Sequence, residues 1–266
     1  MNANGERAVG SLEFQKSARM EGPGGGLGGC LSALREWIVA RGGEENAEWG
    51  RVNILINKKH EEIGTILQCG DFGYWPNFHN KTGITAMGVR YTFDNYGLKN
   101  KGIPIYFCDG NHENHPALLE GDKELTNRNI NYMKRGTYLT LEDGRNVLFM
   151  GGAKSIDKKY RLAGHDWFPE EAITEKDIYA LPDVKIDIVI THTCPKMFPI
   201  KYERIGFHDF EDDNRGKLDY VFEKYKPALW FCGHFHKYQT GMTKGCRWTA
   251  LDMVGGGDKW WAWLPN

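Results

Sequence analysis

Short apolar runs recur along the chain at Ile63–Cys69 (IGTILQC), Ile103–Cys108 (IPIYFC), Asn146–Met150 (NVLFM), Ile186–Thr191 (IDIVIT) and Ala228–Cys232 (ALWFC). They are bounded by Gly, Pro or Asp, and most are apolar on both faces, as strands covered on both sides must be. Trp37–Ala40 is a shorter candidate for a first strand. Between the strands lie segments with helical spacing. Val52–Glu62 sets Val52, Leu55 and Ile56 on one stripe, and Leu218–Tyr225 does the same with Leu218, Val221, Phe222 and Tyr225. Pro116 fits the first turn of a short helix that ends at Gly121. This alternation predicts a layered α/β domain with a largely parallel or mixed central sheet.

Glycine is the compositional outlier, 33 of 266 residues, and it is unevenly spread: Gly22–Gly29 reads GPGGGLGG. A segment of that kind loses too much backbone entropy on ordering to hold one shape unaided. Residues 1–29 are therefore expected to be a mobile leader and residues 30–266 a single domain. Lys plus Arg number 34 against 35 for Asp plus Glu, a net charge of −1. That balance argues against a protein that coats nucleic acid or anionic lipid. No apolar run approaches a membrane span, and Met1–Met20 has no signal-peptide core, so a cytoplasmic protein is expected. The six cysteines are far apart with no CxxC pair, which favours buried, reduced thiols over a cysteine metal cluster.

The chemistry lies just past the strand ends. Ile63–Cys69 runs into Gly70-Asp71, and Ile103–Cys108 into Asp109-Gly110-Asn111-His112-Glu113. Ile186–Thr191 runs into His192, and Ala228–Cys232 into Gly233-His234-Phe235-His236. Four strands each deliver a carboxylate, amide or imidazole at the C-terminal edge, where open α/β sheets bind ligands. One Asp, one Asn and three His form a thiolate-free oxygen and nitrogen set that suits Mn²⁺, Fe or Zn²⁺ better than Ca²⁺. A carboxylate with two oxygens can bridge two such ions.

In that order, these motifs resemble the signature of the calcineurin-like metallophosphoesterases over roughly residues 43–257. The resemblance implies a four-layer α/β/β/α sandwich with mixed sheets and a dinuclear centre of divalent metal ions at one sheet edge. It implies that Asp71 bridges the two ions, that Asn111, His192 and His234 complete one shell, and that His236 binds the other ion. His112 would stabilise or protonate the leaving oxygen while a metal-activated hydroxide attacks a phosphate mono- or diester.

The chain departs from the family at its first motif. The family's Asp-x-His is absent upstream of Asp71, and Glu44 and Asn46 fall at the matching positions. These two are working substitutes, or the ion they would serve is weak or absent, or the N-terminal segment has a different origin. The Asp and Arg that protein phosphatases carry after Gly-Asp are replaced by Phe72-Gly73-Tyr74-Trp75-Pro76, a stretch expected to pack as a loop. Lys154–Arg161 places four basic residues in eight beyond the strand at Asn146–Met150, which makes Arg161 the candidate contact for substrate phosphate. Gly164–Glu171 reads as a loop with a helix start at Pro169, and Lys259–Trp263 as an aromatic packing segment or a base-stacking platform. The expected function is a metal-dependent phosphoric ester hydrolase acting on a phosphate-ester substrate, with no membrane partner and nucleic acid only as a substrate. A catalytically impaired metal-binding relative serving as a binding module, and a nucleic-acid end-processing enzyme, are the alternatives.

Overall fold

The computed structural model describes residues 36–40, 46–59, 61–75, 100–121, 123–127, 129–201, 212–254 and 258–265. The glycine-rich leader and Glu44 lie outside the described residues, and Asn46 is described in its backbone alone. One sheet is built from β1 Glu36–Ala40, β2 Ile63–Gln68, β3 Ile105–Phe107, β4 Ile130–Tyr132 and β11 Trp261–Trp263, in the order β11-β1-β2-β3-β4. Its central pairings are parallel, and β11 closes the edge antiparallel to β1. The second sheet contains β5 Thr137–Thr140, β6 Asn146–Met150, β7 Ile188–Thr191, β8 Leu229–Cys232, β9 Gln239–Thr243 and β10 Cys246–Ala250. It runs β5-β6-β7-β8-β10-β9, parallel from β6 to β10 and antiparallel at both edges.

Side-chain alternation stacks the two sheets. Val147 and Phe149, Ile188 and Ile190, and Leu229 and Phe231 meet Leu67, Cys69, Tyr106 and Cys108 in a core between the sheets. The intervening residues Leu148, Met150, Val189, Trp230 and Cys232 point the other way, into a core with Leu218, Val221 and Phe222 of helix α5 (Asp213–Tyr225). On the far face of the first sheet, Ile66, Ile105 and Phe107 pack with Val52, Leu55 and Ile56 of helix α1 (Asn46–Lys59) and with Leu118 of α2 (His115–Glu120). Three cores bounded by helix, sheet, sheet and helix are the four layers of the sandwich. Two-sided apolar strands arise because every central strand has a core on each face.

The helices are longer than their apolar stripes suggest. Helix α1 begins at Asn46, six residues before the predicted start, so the stretch aligned with Asp-x-His runs into a helix. Helix α5 begins after Asp212, whose carboxylate accepts from Asn214 N–H and satisfies a free donor of the first turn. Helix α2 has Pro116 in its first turn, Asn114 as N-cap and Gly121 (φ 86°) at its end, as the sequence predicts. Two further short helices, α3 (Lys123–Asn127) and α4 (Glu175–Tyr179), have no periodic signal; α4 is held by a Thr174–Asp177 capping box. The predicted helix start at Pro169 is a single 3₁₀ turn, Pro169–Glu171. Trp261 and Trp263 pack against the outer core of the first sheet, 5.4 Å apart edge to face, which is the packing reading of that segment. Cys69, Cys108, Cys194, Cys232 and Cys246 are buried and unbridged. Burial pushes the Cys108 and Cys232 thiols up, so they stay protonated as small hydrophobes. No helix among the described residues is long and apolar enough to cross a membrane.

Candidate metal centre

The parallel strands of both sheets end on one side, and their C-terminal turns bring the sequence motifs together. The hub is His192, which is fully buried. Its Nδ1 lies 2.8 Å from the Cys69 carbonyl, an acceptor only, so the proton of the neutral ring sits there and the Nε2 lone pair faces inward. Around Nε2 stand Asp71 Oδ2 at 3.0 Å, Asn111 Oδ1 at 3.1 Å and His234 Nδ1 at 3.2 Å. An acidic oxygen and an amide oxygen directed at an imidazole lone pair leave acceptors facing acceptors. That polarity fits a cation at their centre. An ion bonded at about 2.0–2.2 Å to such donors keeps neighbouring donors about 2.8–3.6 Å apart. The observed separations fall in that range. Among the described residues no three His, Cys, Asp or Glu side chains alone form a metal-holding group. The amide of Asn111 is needed to complete this one, and the distances radiate from His192.

Backbone strain marks the same residues. Asp71 (φ 53°), His234 (φ 66°) and His236 (φ 52°) all adopt the left-handed region, which side chains with a Cβ rarely occupy. Strain of this kind persists where surrounding contacts over-determine it, and at Asp71 and His234 it accompanies side chains that converge on His192. His236 stands on the same turn as His234, two residues on. The approach is close enough to require glycine at two points. A Cβ at Gly70 would lie 2.6 Å from His192 Nδ1, and one at Gly110 would overlap the Asp71 carboxylate.

Glu113 ties the first two turns together. Its Oε1 accepts from Phe72 N–H at 2.5 Å and its Oε2 from Gly110 N–H at 2.8 Å, while Asp71 Oδ1 accepts from the N–H groups of Asn111 and His112. Burial pushes the Glu113 carboxyl well up, reinforced by Asp71 and Asp109 and opposed by those backbone donors. Gln68 brackets Gly70 with two hydrogen bonds, Nε2 to its carbonyl and Oε1 from its N–H. Phe72 and Tyr74 belong to the outer core, and Trp75 donates to the His112 carbonyl at 2.9 Å, so the stretch after Asp71 is a packed loop.

His112 lies against Arg161, whose Nη2 is 2.5 Å from the ring nitrogens. Burial, with the Arg161 charge adding to it and Asp71 opposing, holds the imidazole down at about 4. A guanidinium this close to the ring disfavours a second positive charge there, so both observations describe a neutral His112 at pH 7. The Arg161 side chain is itself almost fully buried; Nε binds Asp157 Oδ2 at 2.8 Å and Nη1 donates to the Asn111 carbonyl at 3.0 Å. The predicted phosphate contact thus enters the site through His112.

Supporting residues outside the motifs hold these turns. Asp109, after β3, receives Arg135 Nε at 3.1 Å and Nη2 at 2.5 Å and the Tyr132 hydroxyl at 3.0 Å. Burial alone would raise its carboxyl, but Arg135, with His115 and Tyr132, holds it below the ordinary value. Arg135 also donates to the carbonyls of Glu170, Glu171 and Ala172, fixing the 3₁₀ turn. Ser155 accepts from Asn111 Nδ2 at 3.2 Å and donates through its hydroxyl to Glu171, and Glu171 Oε1 accepts Ser155 N–H at 3.1 Å. Burial raises the Glu171 carboxyl, and the Ser155 donors oppose it. A basic residue two after Met133 and an acidic residue in a Pro-Glu-Glu turn look like ordinary surface charges in sequence.

The Arg135 pair makes a stability prediction. Replacing Arg135 with Met strands Asp109 as a buried, uncompensated carboxylate and should cost about 3–5 kcal/mol in urea unfolding at pH 7. Because the folded Asp109 value is depressed, the pair's contribution is present above the unfolded value of about 4 and is lost as pH falls through the folded one. The gap between the wild type and the variant should therefore narrow in acid. A gap independent of pH would argue against this pair.

A family model described as calcineurin-like phosphoesterase matches residues 27–238. The chain belongs to that family. The crystal structure of TT1561 of Thermus thermophilus is 12% identical, with a TM-score of 0.50 over 83% of this chain and 90% of its own. Another solved structure, 13% identical, gives 0.53 over 86% and 94%. The phosphopantetheinyl hydrolase of Mycobacterium tuberculosis is 9% identical, with a TM-score of 0.46 over 89% and 98%. At these identities the first two likenesses bear on the fold alone and the third carries no argument.

Proposed function

We propose that this chain is a metal-dependent hydrolase of phosphate mono- or diesters. The observation that carries it is the approach of Asp71, Asn111 and His234 to the single lone pair of His192. Family membership supports the same reading. In this proposal Asp71, Asn111, His192 and His234 hold one divalent ion, and Asp71 with His236 serves a second; Mn²⁺, Fe and Zn²⁺ suit the donor set. Such ions supply positive charge to the phosphoryl oxygens and lower the pKa of attacking water.

The chain's own groups do the rest. Glu113 and Gln68 keep the two carrying turns rigid, so Asp71 and Asn111 need not reorganise as charge develops. His112, neutral and backed by Arg161, offers a ring N–H to the leaving oxygen. Arg161 adds fixed positive charge behind it and lends its potential to an approaching phosphate ester.

The test is metal content after purification without chelator, followed by hydrolysis of nitrophenyl phosphate and bis-nitrophenyl phosphate with added Mn²⁺, Fe²⁺ or Zn²⁺. Bound metal and metal-dependent turnover of at least one ester are expected. Folded protein that binds no metal and turns over neither ester would overturn the proposal. Stoichiometry of one ion rather than two would assign the second position to the weakened first motif.

A further inference from the structure

We infer that Glu171, acting through Ser155, is a positioning residue that sets which end of the Asn111 amide faces His192 and Asp71. The inference rests on the metal-centre reading above and goes beyond it to residues outside every motif.

The hydrogens available around Asn111 decide its orientation. Left to the local pair, Asn111 would turn its NH₂ toward the His192 Nε2 lone pair, since a donor facing a lone pair is favourable and an oxygen facing it is not. The structure shows the opposite: Oδ1 is 3.1 Å from Nε2 and Nδ2 is 3.2 Å from Ser155 Oγ. Ser155 has one hydroxyl hydrogen, and it is taken by the Glu171 carboxylate, which in its ionised form can only accept. Ser155 Oγ must then accept from Asn111, and the amide oxygen is left facing the cluster. The backbone bond from Ser155 N–H to Glu171 Oε1 fixes the other carboxylate oxygen. Both Ser155 and Glu171 are buried, so water does not stand in for either. Arg135 holds the turn that carries Glu171 through three carbonyls. The polarity of this relay favours a cation-binding oxygen over the hydrogen bond Asn111 would otherwise make.

Glu171→Gln keeps the shape of the side chain and changes its polarity. Its amide oxygen keeps Ser155 N–H, while its NH₂ now donates to Ser155 Oγ. The hydroxyl hydrogen is released toward Asn111, whose amide turns over and presents NH₂ to the ion position. Asn111→Asp reverses the sign. A carboxylate at 111 needs the Ser155 hydrogen for its second oxygen. Glu171 competes for that hydrogen, whereas the glutamine of the variant releases it.

The experiment measures Mn²⁺ binding by equilibrium dialysis to the full chain as wild type, E171Q, N111D and N111D/E171Q, with near-UV circular dichroism to verify packing. E171Q should bind Mn²⁺ roughly 10–100-fold more weakly than wild type, the usual cost of losing an outer-shell partner. In the N111D background the same change should tighten binding. A structural role alone would weaken binding in both backgrounds, and that result, or unchanged affinity in E171Q, would overturn the inference. A wild type that binds and hydrolyses while E171Q matches it sinks this inference and leaves the proposed function standing. A wild type that binds no Mn²⁺ sinks both.

Discussion

Asp71→Asn should abolish metal retention and cut ester hydrolysis on the order of 10³-fold or more, without unfolding the protein. The carboxylate has two tasks that the substitution separates. Its Oδ1 accepts the N–H groups of Asn111 and His112, and an Asn carbonyl oxygen can continue to do so. Its Oδ2 presents negative charge 3.0 Å from the His192 lone pair, and an amide NH₂ there would donate to that lone pair and occupy the ion's place. The turn is kept and the charge is lost. Removing one preorganised transition-state donor typically costs about 10²–10³-fold, and the loss of an ion should exceed that. Metal analysis after gel filtration, thermal unfolding of the ion-free protein and turnover would be measured together. Retained metal with full turnover would remove Asp71 from the centre, and a large drop in ion-free stability would show its role to be holding the turn.

The central strands are legible in the sequence because each is apolar on both faces, and that pattern has a cause: Val147 and Phe149 face one core while Leu148 and Met150 face another. Strand ends shift by a residue or two, as at Ile103–Cys108, where the ladder spans only Ile105–Phe107. The edge strands are not legible. Thr137–Thr140 and Gln239–Thr243 are half-exposed, with no two-sided burial to enrich them in apolar residues. The apolar stripe places the start of helix α1 six residues late because its opening turns, Asn46 to Arg51 (NAEWGR), include a glycine and carry no repeating apolar position.

The same logic divides the site. Asp71, Asn111, His192 and His234 stand directly after apolar strands, so their convergence follows from the parallel sheets. Ser155 and Glu171 act on Asn111 across 44 and 60 positions of chain, and Arg135 reaches Asp109 across 26. No local pattern encodes such contacts. The sequence offers only their chemistry: a hydroxyl after a Gly-Gly turn, and a carboxylate behind a proline.

His112→Ala should leave metal content intact and lower turnover of an alkyl phosphate ester by roughly 10²–10³-fold, the usual worth of one preorganised hydrogen-bond donor. The loss should be smaller with a nitrophenyl ester, whose leaving oxygen needs little help. The state of the ring sharpens the test. Burial and Arg161 hold His112 at about 4, and a nearby cation would press it lower still, since positive charge disfavours the imidazolium. His112 is therefore neutral across the working range, and its contribution is N–H donation to the leaving oxygen, with Arg161 supplying the charge behind it. A group that does not titrate there cannot shape the profile. The ratio of wild-type to His112→Ala rates should stay constant from about pH 6 to 8. A ratio that falls across that window would mean the ring works as an imidazolium, with the Arg161 contact broken in the working enzyme. Equal losses on alkyl and nitrophenyl esters would instead remove the His112 ring from the leaving group altogether.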